Sequence, residues 1–130
     1  MSFNWSEYLS LAKDLAGISH NKASINAKLR SSISRAYYSA HCTARNYLEN
    51  RENLTIPKTG AAHELVIRQF SRIGNRSNNQ DYIKVSRKLK TLQIQRADVD
   101  YRNKLRDKKL PDRVTEVLSL ADYIVNALNS

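Results

Sequence analysis

One cysteine, two prolines, three glycines and a shortage of negative charge set the limits of this 130-residue chain. The single Cys42 forms no intrachain disulfide and no Cys-x-x-Cys zinc or redox pair. Three unclustered glycines leave no Gly-rich phosphate loop. So few Gly and Pro do not supply the turns of a β-sandwich or barrel, and they leave room for long, uninterrupted helices. No apolar run approaches about 18 residues, so no membrane span is expected. The opening MSFNWSEYLS lacks a basic stretch followed by an apolar one, so no signal peptide is expected and the expected location is cytoplasmic. Asp and Glu number 12 against 22 Lys and Arg, a net charge of +10. A field of that sign attracts polyanions such as RNA or DNA, although a basic surface also serves solubility alone.

Hydrophobic residues make up 41% of the chain and charged residues 26%, which suits one folded domain over residues 1–130 and not a disordered chain. Five segments have helical period. The first spans residues 4–16, with Trp5, Tyr8, Leu9, Ala12 and Leu15 on one face and Gly17 as its stop. The second spans residues 23–50, about 40 Å of helix, with a buried stripe through Leu29, Ile33, Ala36, Tyr37, Ala40, Ala44, Tyr47 and Leu48. A loop over 53–60 carries Pro57 and Gly60. The third helix is expected over 61–73, followed by a polar loop over 74–80 expected to be poorly ordered. The fourth is expected over 81–105, with Tyr82, Val85, Leu89, Leu92 and Val99 as its stripe. The fifth follows Pro111, with Asp112 as its expected N-cap. Short loops between long helices predict an all-α, antiparallel up-and-down bundle of four to five helices. The lengths of the second and fourth helices suggest a homodimer.

No familiar catalytic or cofactor motif is present. His20, His41 and His63 are far apart in sequence and lack His-Glu-x-x-His spacing, so neither a metal nor a cofactor is expected. Cys42 follows His41 directly, and helical neighbours point about 100° apart, so the two do not make a ready dyad. Between Asp81 and Arg113, eleven basic residues face five acids, among them Lys84, Arg87, Lys88, Arg96 and Arg102. Such a stretch suits a phosphate backbone, and equally a solvated face. Arg96 falls on the apolar stripe of the fourth helix, where an unpaired cation would be costly. It is expected to meet a carboxylate, a carbonyl or a subunit boundary, with Asp100 at i+4 the nearest candidate. Two readings fit: an Arg–Asp pair that fixes register, or an arginine in a cleft waiting for phosphate. On the second helix, Ser34, Tyr38, His41 and Arg45 form a polar and aromatic strip beside the core stripe. It suits a helix or subunit interface, or contact with bases and phosphates.

Ser34-Arg35-Ala36-Tyr37-Tyr38-Ser39-Ala40, followed by His41, Arg45 and Leu48, resembles the second-helix signature of the small stand-alone prokaryotic HEPN domains. His63 with Val66, Ile67 and Phe70 is similar to that branch's His-containing segment. Arg96, Asp100 and Tyr101 are similar to its arginine-then-Asp-Tyr pattern. The resemblance covers roughly residues 5–125. It implies a dimeric helical bundle that binds RNA or nucleotides, in a toxin–antitoxin or defence module, often with a nucleotidyltransferase-type antitoxin as partner. Taken together, the resemblance, the basic stretch and the polar-aromatic strip make Arg35, Tyr38, Arg45, Lys84, Arg87, Lys88, Arg96, Asp100, Tyr101 and Arg102 the candidate binding residues. Family ribonucleases carry an arginine, four to six residues, then histidine, and need no metal. Here Tyr101 stands at the histidine's place after Arg96, while Arg35 and His41 have the spacing on the second helix. A metal-independent endoribonuclease using His41 with Arg96 or Arg35 is therefore one alternative. A non-enzymatic module that binds a protein partner is another.

Overall fold

The computed structural model describes residues 22–98 and 109–129, together with Trp5, Leu9, Ala12, Lys13 and Ala16. Four helices follow in order: α1 (Lys22–Arg51), α2 (Ala61–Ser77), α3 (Gln80–Ala97) and α4 (Leu110–Asn129). They form the expected all-α antiparallel bundle, and no strand occurs among the described residues. α1 packs chiefly on α4, α2 packs on α3, and α3 closes the bundle against α4 and α1. No helix among the described residues is long and apolar enough to cross a membrane.

The helical period places the core where the sequence reading expects it. Leu29, Ile33, Ala36, Tyr37, Ala40, Ala44 and Leu48 of α1 are buried, and Tyr47 is half-buried. Val85, Leu89 and Leu92 of α3 meet them, with Val114, Val117, Ala121, Ile124, Val125 and Leu128 of α4. Val99 and the expected continuation of the fourth helix to residue 105 lie outside the described residues, as does most of the first expected helix. The described N-terminal positions are helical, and three of them join the same core: Leu9 and Ala12 are buried and Ala16 packs against it. Two serines of α1 hold that segment, Ser32 Oγ donating to the Ala12 carbonyl at 2.7 Å and Ser39 Oγ to that of Trp5 at 2.5 Å.

Two expectations are corrected. The polar loop over 74–80 shrinks to Asn78 and Asn79, because α2 runs on to Ser77. Gly74 lies inside the helix rather than ending it. A Cβ there would sit 2.9 Å from Ile83 Cγ1 and 3.0 Å from the Ile83 backbone nitrogen, so its bareness serves the close approach of α2 and α3. The turn is tightly specified. Asn78 takes the left-handed conformation (φ 55°) as C-cap, and the Asn79 side chain accepts from the Tyr82 N–H at 3.2 Å as N-cap of α3. The second correction concerns α4, which starts at Leu110 and not at an Asp112 cap. Pro111 and Asp112 occupy its first turn, where a missing N–H is harmless and a carboxylate complements the helix dipole.

The C-terminal end of α1 is clamped to α3 by a polar relay. Tyr82 Oη donates to Glu52 Oε1 at 2.8 Å and lies 2.8 Å from Tyr47 Oη, while the Phe70 ring packs edge-on against Tyr82. Burial and these bonds push the Tyr82 hydroxyl far above the ordinary tyrosine range.

Candidate functional site

Tyr37, Tyr38, His41, Cys42 and Arg45 recur at one- and three- to four-residue steps along α1, which brings them to one side of the helix. The loop after α1 turns back and starts α2 beside them, so that His63, third residue of α2, meets His41. The two imidazoles stack with centroids 4.1 Å apart and planes 17° apart. Tyr37 continues the stack, 5.9 Å from His41 and 5.6 Å from His63, and its hydroxyl is hydrogen-bonded to His63 Nδ1. Tyr38 stands edge-on to all three rings. From the last turn of α3, the Arg96 guanidinium lies 5.3 Å from the Tyr37 ring centre and 5.7 Å from that of Tyr38. Facing an aromatic surface stabilises a partly desolvated cation.

Beside the rings is a pocket of about 450 Å³, lined by Tyr38, His41, Cys42, Arg45, Lys58, Thr59, Gly60, Ala62 and His63. Its volume falls within the roughly 300–1,000 Å³ of small-ligand sites. One end of it is the start of α2. Gly60 offers no side-chain cap there and the Ala62 N–H is taken by the Thr59 carbonyl at 3.0 Å, so the remaining first-turn N–H groups and the positive end of the helix dipole lie at the pocket's edge. Arg45 braces the opposite wall: one Nη donates to the Ile56 carbonyl at 2.8 Å and Nε lies 3.4 Å from Glu49. The first-turn acid of α2, Glu64, pairs instead with Lys90 of α3 at 3.5 Å.

The electrostatics follow from burial and this surplus of cations. His41 is pushed down to about 3, first by burial and then by His63, Arg45 and Arg96. His63 is also lowered, by burial, Arg96 and Arg45. Both imidazoles are therefore neutral at neutral pH, and Arg45, Lys58 and Arg96 carry the local charge. Tyr37 is raised by its burial and keeps its proton. Its hydroxyl has no second acceptor among the described residues, so it donates to His63 Nδ1, which places the ring proton of His63 on Nε2. Burial pushes the Cys42 thiol up to about 11, which makes it a packing residue and not a nucleophile. Among the described residues no group of three or more His, Cys, Asp or Glu is placed to hold a metal ion.

Of the sequence-predicted site residues, Tyr38, His41, Arg45 and Arg96 come together here. Arg35 does not line the pocket, and its Nε donates to Ser31 Oγ at 3.1 Å. Lys84 and Arg87 are exposed on α3, while Lys88 is turned to α4 with Nζ 4.7 Å from the Tyr123 ring centre. Asp100, Tyr101 and Arg102 lie outside the described residues. His63, Lys58 and Tyr37 complete a cluster that sequence reasoning did not assemble. The sequence marks His63 only through the resemblance of its segment and Tyr37 as a core residue one turn before His41, and nothing in it marks Lys58. Compared with known proteins, the chain matches no family model, no curated protein and no solved structure.

Proposed function

We propose that this chain is a HEPN-type helical protein that binds RNA or nucleotides, with its phosphate seat in the pocket between α1 and α2. The observation that carries the reading is the joint presence of Arg45, Lys58, two neutral imidazoles and the Tyr38 ring around the uncapped start of α2. Cations and backbone N–H groups suit phosphate oxygens, and an aromatic rim suits a base. The reading includes a cytoplasmic homodimer in a toxin–antitoxin or defence module, with a nucleotidyltransferase-type antitoxin as partner. The test is binding of the purified protein to a mixed RNA pool at low and high salt, followed by a denaturing gel. The expected result is binding that fades with salt, intact RNA, and roughly tenfold weaker binding by Lys58→Ala, the scale of one charge-assisted hydrogen bond. Absence of binding at low salt moves the reading to a non-enzymatic module that docks a protein.

The stacked histidines favour one second reading, a metal-independent endoribonuclease. A neutral His41 could take the proton of a ribose 2′-hydroxyl as its oxygen attacks the adjacent phosphorus, with Arg96 or Arg45 steadying the charge. The departing 5′-oxygen needs a proton, and two neutral imidazoles offer no strong acid at neutral pH. That imbalance puts binding first. Cleavage in EDTA that His41→Ala abolishes would reverse the order.

A further inference from the structure

We propose that the α1–α2 pocket is a receptor for a terminal phosphate monoester, at the end of an RNA or on a free nucleotide, rather than a seat for an internal phosphodiester. The inference rests on the RNA- or nucleotide-binding reading and sharpens its ligand.

Three observations carry it. The first is size: about 450 Å³ holds a ligand of nucleotide dimensions. The second is charge. Arg45 and Lys58 border the pocket and Arg96 lies against the adjoining rings, while Glu49 sits 3.4 Å from Arg45; the two imidazoles are neutral, and Glu64 is engaged by Lys90. Three cations offset by one carboxylate, beside a helix N-terminus, match the dianion of a monoester, while a diester phosphate carries one charge and needs a chain exit on both sides. The third is His41. It is 5% exposed and has no hydrogen-bond partner among the described residues. No buried side-chain nitrogen or oxygen among them is left unsatisfied, so its ring nitrogen opens onto the pocket it lines. An otherwise buried imidazole with no partner inside the protein, at the wall of a cationic pocket, can bond a ligand there in place of water.

The donors are arranged for several oxygens on one phosphorus. Tyr37 fixes the His63 proton on Nε2, the ring's remaining nitrogen, and His63 lines the pocket. Arg45 spends Nε on Glu49 and one Nη on Ile56, which leaves its other Nη. Lys58 is exposed on the loop and adds an ammonium, and the first turn of α2 adds backbone N–H groups other than that of Ala62, which the Thr59 carbonyl takes. Tyr38, 40% exposed at the rim, gives the terminal base a ring to stack on.

The test compares one short RNA sequence carrying a 5′-phosphate, a 3′-phosphate or hydroxyls at both ends, by fluorescence anisotropy at fixed salt, with a nucleoside monophosphate as competitor. The expected result is at least tenfold tighter binding of one phosphorylated form, competition by the monophosphate, and loss of the preference in Lys58→Ala and Tyr37→Phe with residual binding kept. The 5′ and 3′ arms show which end is taken. Equal, salt-sensitive binding of all three RNAs overturns this inference and leaves the RNA-binding reading standing. No binding of any form, nor of the monophosphate, overturns both.

Discussion

His41 shows how much one buried side chain can decide. It sits between Tyr37 and His63 on one side and the pocket on the other, with Arg45, Arg96, Tyr38 and Cys42 around it. Its folded-state value of about 3 lies below the 6.5 of the unfolded chain. Between those limits the unfolded chain binds a proton that the folded chain refuses. The associated stability is present above about pH 6.5 and is lost as pH falls towards 3, at about 1.4 kcal/mol per pH unit per histidine. His63 is lowered too and adds to the slope. Urea midpoints measured from pH 7 to 4 should fall steadily, and His41→Gln should flatten the fall. Equal slopes for variant and parent would contradict the burial of a neutral His41. The helical period shows Tyr37 as a core residue, since it recurs with Ile33, Ala40 and Ala44. It cannot show the His41–His63 stack. That contact joins two helices across a loop, and nothing in the spacing of either helix encodes the other. Tyr82→Phe is a second test at this scale. It removes a hydroxyl bonded to both Glu52 and Tyr47 and should cost about 1–3 kcal/mol by chemical denaturation, with Glu52 left short of a donor.

At the scale of helices, the α2–α3 turn is where sequence and structure part most clearly. GNRSNNQ has the composition of a loop, and glycine ordinarily ends a helix. Local chemistry loses here to packing, because α3 crosses close enough that residue 74 has no room for a Cβ. Gly74→Ala gains about 1 kcal/mol in helix propensity but forces a contact against the Ile83 backbone that costs about 1–3 kcal/mol. The melting temperature should therefore drop, and a rise would show that the helices can part freely. Asn79→Ala removes the cap to the Tyr82 N–H and should cost about 1 kcal/mol. The extent of α1 and the buried face of α4 are legible because long apolar stripes leave little choice. The start of α4 was not, because Pro111 is as much at home in a first turn as before one.

For the molecule as a whole, the charge of +10 could be counted in the sequence, but not where it gathers. The sequence reading puts the basic stretch between Asp81 and Arg113; of it, Lys88 is turned to Tyr123, while Arg96 joins Arg45 and Lys58, from two other elements, at the ring cluster. Such a surplus repels itself. Exposed pairs such as Lys13–Asp122 at 2.7 Å and Lys90–Glu64 at 3.5 Å offset little of it. Adding salt to about 0.3 M, where the screening length shrinks below about 8 Å, should raise the melting temperature. A fall on adding salt would mean that attractive pairs dominate.

The placement of Cys42 has a practical consequence. The sequence contains no other thiol, and this one lines the pocket. With its proton held to about 11, it should alkylate slowly at neutral pH and faster with each step towards alkaline conditions. Any covalent tag from a thiol reagent therefore marks a single, known address. Shielding of that address by an added nucleotide would report occupancy from a mass spectrum, without labelling the nucleotide.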